Sequence, residues 1–260
     1  KVAGPSRGLN YIRKNLGFSK EAIKDALENS LKRIQTDYID LYQLHWPERK
    51  TNCFGVKNYQ YDEKEQWKEN FFEVVNTLND YIKEGKIRHY GISNETPYGM
   101  LRYLEEAKCN DLLQPVTIQN PYNLLNRTFE IGNAEISIKK KVGLLAYSPL
   151  AFGVLSGKFL TGKRHPNSRI ALFPQMARYN NDQVNYAVKK YAEIAKKYQL
   201  SFTQMSLAFV NQQPFVTSNI IGATNLKQLE ENTDSINLTL TEEIMKEIES
   251  VFVLQPNPAP

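Results

Sequence analysis

The stretch Asp37-Tyr-Ile-Asp-Leu-Tyr-Gln-Leu-His45-Trp-Pro47 decides how this chain is read. Tyr38 to Leu44 is the short, apolar, β-rich run expected of a parallel strand buried on both faces, apart from Asp40 and Gln43. Pro47 has no amide proton to give a ladder, so the strand must stop near Trp46. His45 therefore stands at the carboxyl end of a strand, where α/β folds keep their chemistry. The chain opens at Lys1-Val-Ala, which reads as part of another strand, followed by the loop Gly4-Pro-Ser-Arg7.

Outward from this strand, short apolar runs alternate with amphipathic segments. Ser19 caps an expected helix with Ile23, Leu27, Leu31 and Ile34 on one face. After His45 a polar, aromatic loop carries Cys53, Phe54, Tyr59 and Tyr61. A helix from about Glu65 to Lys83 follows, with Trp67, Phe71, Val74, Leu78 and Ile82 at helical spacing and Gly85 as its C-cap. Strands are expected over Ile87–Asn94, Val116–Asn120, Val142–Ser148 and Thr217–Gly222. Helices are expected over Tyr98–Ala107, Phe129–Lys140, Val184–Tyr198, Thr203–Gln212 and Leu226–Asp234, and from Thr241 onward. Ser201 with Gln204 makes a capping box. A long loop runs from Pro149 to Asn180. Strands alternating with helices imply a parallel sheet. With no linker or low-complexity tract, residues 1–260 read as a single domain.

Strand after strand ends in hydrogen-bonding side chains: His45, Ser93-Asn94, Gln119-Asn120, Tyr147-Ser148, then Gly222-Ala-Thr-Asn225. A doubly wound sheet gathers ligands at one switch point served by few strands. In a (β/α)8 TIM barrel all the βα loops share one mouth, so the barrel explains the pattern better. Each Ser or Asn taken singly could instead cap the next helix, but capping does not call for Gln119 or Tyr147. Gly157-Lys-Phe-Leu-Thr-Gly162-Lys163 imitates a P-loop, yet Arg164 stands where the Ser or Thr belongs and no strand leads into it. His45, His89 and His165 lack metal-ligand spacing, so no metal site is expected. Cys53 and Cys109 lack a motif-level partner for nucleophilic catalysis.

The 260 residues are 41% hydrophobic and 23% charged, an ordinary soluble composition large enough for an ample core. The formal charge of +5 is spread among acids without a basic aromatic stripe, which argues against a nucleic-acid partner. No apolar run approaches about 18 residues, so no membrane partner is expected. Two cysteines without a CxxC pair suit a reducing, cytoplasmic setting.

Taken together, these motifs resemble those of the aldo-keto reductases. Asp37–Pro47 is similar to that family's fourth strand, with His45 matching its active-site histidine. Gly85-Lys-Ile-Arg-His-Tyr-Gly-Ile-Ser-Asn94 resembles the fifth strand, which implies that Ser93 and Asn94 hold the nicotinamide carboxamide, joined by Gln119. Tyr147 matches the aromatic residue stacked on the nicotinamide. Ser148-Pro-Leu-Ala-Phe-Gly-Val-Leu-Ser-Gly-Lys158 resembles the loop that wraps the pyrophosphate, which assigns Ser148, Leu150, Gly153, Leu155, Gly157 and Lys158 to cofactor binding. Gly222, Ala223, Thr224, Gln228, Glu231 and Asn232 resemble the segment around the adenosine. Lys1-Val-Ala-Gly-Pro-Ser-Arg7 is similar to the loop after the third strand, which makes Lys1 the catalytic lysine. Trp46-Pro-Glu-Arg-Lys-Thr-Asn-Cys-Phe-Gly55 and Ile118-Gln-Asn-Pro-Tyr-Asn-Leu-Leu-Asn-Arg127 are similar to the Tas-type bacterial branch.

The resemblance implies an NADP(H)-dependent oxidoreductase, with NAD(H) open, that reduces an aldehyde or ketone. Hydride passes to the carbonyl carbon, a lysine-tuned tyrosine gives a proton to the oxygen, and His45 orients the carbonyl. Trp46 and Phe54, with Tyr59 and Tyr61, are the expected substrate wall. The alternative is a nicotinamide-binding regulatory subunit with little turnover, and a monomer is slightly favoured. The family's catalytic Asp and Tyr lie upstream of the lysine, and none of the fifteen tyrosines here matches that position. The sequence therefore reads as an N-terminally incomplete barrel lacking the first two βα units, expected to fold and catalyse poorly as written. A basic residue common in the family is replaced by Gly222, leaving Lys227 as a weak candidate for a 2′-phosphate.

Overall fold

The computed structural model describes residues 1–5, 16–56, 58–162, 166, 168–173 and 177–260. Ser6 and Arg7 of the first loop, and Lys163, Arg164 and His165 of the P-loop-like stretch, lie outside them. The elements run in chain order as α1 (Lys20–Ile34), β1 (Ile39–Gln43), α2 (Phe71–Lys83), β2 (Ile87–Ser93), α3 (Pro97–Cys109), β3 (Thr117–Gln119), α4 (Asn133–Lys140), β4 (Gly143–Ala146), α5 (Arg169–Leu172), α6 (Asp182–Lys197), α7 (Phe202–Asn211), β5 (Val216–Asn219), α8 (Leu226–Asp234) and α9 (Glu242–Leu254). Residues fall into two compact units, one of Lys1–Gln119 with Glu135–Gly143 and one of Asn120–Ala134 with Leu144–Pro260.

In the first unit β1 pairs with β2 and β2 with β3, all in parallel. In the second, β4 pairs with β5 in parallel, with an irregularity between Leu144 and Leu145. Parallel strands in chain order, each followed by helix, make this the α/β architecture of a (β/α)8 barrel. No helix among the described residues is long and apolar enough to cross a membrane.

The helix signals are obeyed where they are local. Ser19 Oγ accepts from Ala22 N at 3.2 Å and starts α1. Ile23 and Leu27 are buried, but Ile34 is 58% exposed, because the apolar face runs out before left-handed Gln35 ends the helix. Gly85, at φ 73°, follows α2 and lets the amides of Gly85 and Lys86 bond the carbonyls of Ile82 and Tyr81 at 3.0 Å. Ser201 Oγ accepts from Gln204 N at 3.3 Å, while the Gln204 amide reaches the Glu231 carbonyl at 3.4 Å and leaves the capping box one-sided.

Three expectations are corrected. α2 begins at Phe71 rather than Glu65, since Glu65 accepts from Lys50 N and Asn70 Nδ2 donates to Glu48 Oε2 at 2.7 Å. These tertiary bonds hold the segment outside the helix. The helix expected over Phe129–Lys140 is a 3₁₀ turn, Thr128–Ile131, and α4, separated at Gly132. The decisive strand is buried on both faces only at its carboxyl end, at Tyr42, Gln43 and Leu44. There Val2 lies alongside, Val2 N donating to Gln43 O at 2.9 Å and His45 N to Val2 O at 2.8 Å. Farther back Asp40 faces outward to Arg88 Nη1 at 2.6 Å.

Candidate active site

In the first unit, side chains tie the ends of β1, β2 and β3 together. Ser93 Oγ donates to Gln119 O at 2.8 Å, and Asn94 N reaches the same carbonyl at 3.0 Å. The Asn94 Nδ2 group donates to His45 O at 2.8 Å and to Ser93 Oγ at 3.1 Å. Asn94 holds a left-handed backbone, φ 55°, which asparagine tolerates better than most residues. Lys1 Nζ stands 3.5 Å from Ser93 Oγ. The structure thus brings Lys1, His45, Ser93, Asn94 and Gln119 into one cluster, Gln119 through its carbonyl.

The electrostatics follow from this crowding. Burial first, then the positive charge of Lys1, pulls the His45 imidazole down to about 4. His45 is therefore neutral at pH 7 and able to donate or accept one hydrogen bond. Lys1 is exposed as a residue, but its ammonium end lies against protein atoms, and that loss of water lowers its pKa to about 8.

Trp46 is placed below the surface, its Nε1 donating to Pro5 O at 3.0 Å and its ring 4.5 Å from that of His45. Phe54 meets Trp46 edge-on at 6.1 Å and is partly exposed. Beside them opens a cleft of about 900 Å³, whose lining includes Pro47, Asn52, Tyr59, Gln60 and Tyr61. Tyr59 and Tyr61 are both well exposed. Among the charged lining residues, Lys50 pairs with Asp62, Arg49 with Glu95, and Glu48 accepts from Phe18 N and Asn70 Nδ2.

In the second unit, Tyr147 is fixed through its backbone, Tyr147 N donating to Asn120 O at 3.1 Å and Tyr147 O accepting from Tyr122 N at 3.3 Å. The loop beyond it is strained. Ser148, Ala151 and Phe152 all have positive φ, as do Gly153 and Gly157. For residues with a side chain this costs of order 1 kcal/mol each, and such strain clusters at ligand clamps. Asn123 Nδ2 anchors the bend by donating to Ser148 O at 2.9 Å and Tyr179 OH at 3.2 Å. Leu155 is buried, and the Lys158 ammonium lies close against Gly153. Farther along, Gly222, Ala223, Thr224 and Gln228 are exposed, with Thr224 N and Oγ1 both donating to Gln228 Oε1 at 2.9 Å. Asn232 is buried and donates to Gly222 O at 3.2 Å, while Glu231 accepts from Ser201 Oγ at 2.5 Å.

Sequence reasoning passed over Arg49, Glu95, Asn123 and Tyr179. Only the Glu directly after Asn94 hinted at the first pair. No periodicity marks a contact across 46 residues.

Comparison with known proteins points the same way. The model described as "Aldo/keto reductase family" matches residues 12–252. The "Protein tas" of Escherichia coli (strain K12) is 47% identical over 261 residues, covering 100% of this chain and 75% of that protein. The "Aldo-keto reductase" of Babesia bovis is 38% identical over 89% of this chain and 86% of its own length. The "Probable voltage-gated potassium channel subunit beta" of Oryza sativa subsp. japonica is 29% identical over 92% of this chain and 70% of its own length. With parallel strands whose ends carry the expected side chains and a family match along most of its length, the chain belongs to the aldo/keto reductase family.

Proposed function

We propose that this chain serves an NADP(H)-dependent carbonyl reductase, with NAD(H) as the other candidate cofactor and a neutral aldehyde or ketone as substrate. The observation that carries the reading is a neutral His45 held at a strand end with Lys1 and the Ser93–Asn94 amide and hydroxyl groups. Those donors and acceptors suit a carboxamide, so the residues present fit a nicotinamide. When bound, the nicotinamide supplies the hydride. Ser93, Asn94 and Gln119 orient its carboxamide, and Tyr147 offers a flat face for its ring. Ser148, Leu150, Gly153, Leu155, Gly157 and Lys158 take the pyrophosphate, and Gly222, Ala223, Thr224, Gln228, Glu231 and Asn232 the adenosine. His45 donates a hydrogen bond that orients the substrate carbonyl, and Lys1 lends positive charge to the proton donor, which no tyrosine of this sequence matches. Trp46 and Phe54 close the apolar side of the substrate space. Two cysteines without a CxxC pair support a reducing compartment, the cytoplasm, as the setting.

The rice relative's printed name supports a second reading, a nicotinamide-binding subunit with slow turnover. Fluorescence titration with NADPH tests the binding both readings share. Saturable binding that weakens about tenfold in the Ser93→Ala, Asn94→Ala double variant is expected. Unchanged binding in that variant would count against the assignment. Steady-state reduction of 4-nitrobenzaldehyde separates the two readings, since tight binding without turnover favours the subunit.

A further inference from the structure

We propose that the buried Arg49–Glu95 pair is a positioning element for Ser93, Asn94 and His45, a role that rests on the cofactor reading above. The guanidinium meets the carboxylate fork to fork, Nη1 to Oε1 at 3.0 Å and Nη2 to Oε2 at 2.7 Å. The two side chains are only 8% and 3% exposed. Arg49 lies four residues beyond His45, and Glu95 directly follows Asn94. The pair therefore ties the loop leaving β1 to the loop leaving β2.

Other elements hold the fork in place. Arg49 Nη2 also donates to Thr96 Oγ1 at 3.2 Å, and Thr96 N donates to Glu95 Oε2 at 3.0 Å where α3 begins. The guanidinium lies 5.5 Å from the Phe71 ring centroid and 5.4 Å from that of Tyr98. Helix α3 makes room with Gly99, where a Cβ would collide with Glu95 Oε2 and Arg49 Nη2.

A buried ion pair adds little net stability over apolar packing of the same shape. What a bidentate fork supplies is fixed geometry. That geometry is delivered next door. Asn94 is left-handed, and its Nδ2 bonds reach both Ser93 Oγ and the His45 carbonyl. A turn of Glu95 passes through one peptide bond into Asn94, and a shift of Arg49 passes through the Trp46-Pro47 segment into His45.

Arg49→Lys keeps the charge and loses the fork, and Glu95→Gln keeps the shape and loses the charge. For each variant of the full chain, circular dichroism reports folding, and titrations measure binding of NADPH and of 2′,5′-ADP, which lacks nicotinamide. The expected result is NADPH binding weakened about ten- to a hundredfold in a folded variant, with 2′,5′-ADP binding unchanged. Unchanged NADPH binding in a folded variant overturns the proposal. So does parallel loss of both ligands, or failure of both variants to fold, either of which marks a merely structural pair. A wild-type chain that binds neither ligand overturns the cofactor reading itself, a distinct outcome.

Discussion

Protonating His45 places a second cation beside Lys1 in a site that has already lost much of its water. The imidazole therefore resists protonation down to about 4, against 6.5 when solvated. Between those values the unfolded chain binds a proton that the folded chain refuses, so stability falls as pH drops from about 6.5 to about 4 and levels off below. Lys1, lowered to about 8 from 10.5, has the same sign in an alkaline window: stability rises with pH from about 8 to 10.5. Urea midpoints for wild type and His45→Asn at pH 7, 5.5 and 4.5 check the acid arm. The variant is expected to lose less stability over that range, and equal losses would remove His45 as the cause. The position of His45 was legible from Pro47 alone. Its neutrality was not, because it depends first on burial and then on Lys1, 44 positions away in the sequence and close only in the fold.

At the scale of an element, α3 shows how a helix can be shaped by what it must accommodate. In a solvent-exposed helix Gly→Ala stabilises by about 1 kcal/mol. Gly99 faces the locked Arg49–Glu95 fork, whose buried atoms cannot move aside without breaking the pair. Gly99→Ala is therefore expected to destabilise by about 1–3 kcal/mol, read as a lower urea midpoint at an unchanged m-value. A stabilised variant would show that the fork yields easily. The elements legible in sequence were those governed by local signals, such as Ser19 before α1, Gly85 after α2 and Thr241 before α9. The start of α2 was not, because Glu65 and Asn70 answer to Lys50 and Glu48 across a loop rather than to helical spacing.

Across the whole molecule, parts distant in sequence complete each unit. In the second, the final residues are stitched back: Ala259 N donates to Leu125 O at 3.1 Å, Asn181 Nδ2 to Pro258 O at 3.2 Å, and Arg127 N to Asn257 Oδ1 at 2.6 Å. Removing residues 256–260 strips partners from three groups and uncovers Leu125, so a loss of about 2–4 kcal/mol is expected. A thermal melt of the shortened chain checks it, and an unshifted midpoint would show the tail to be idle. The first unit is interrupted in sequence in the same way. Its β3 end takes Gly143 N onto Val116 O at 3.1 Å, and Gln114 Nε2 reaches Lys140 O at 3.2 Å, both after the chain has visited the second unit and returned. On the ribosome, then, β3 emerges well before Glu135–Gly143 is made to brace the residues that lead into it. The half-finished first unit must wait for a segment synthesised after part of the other.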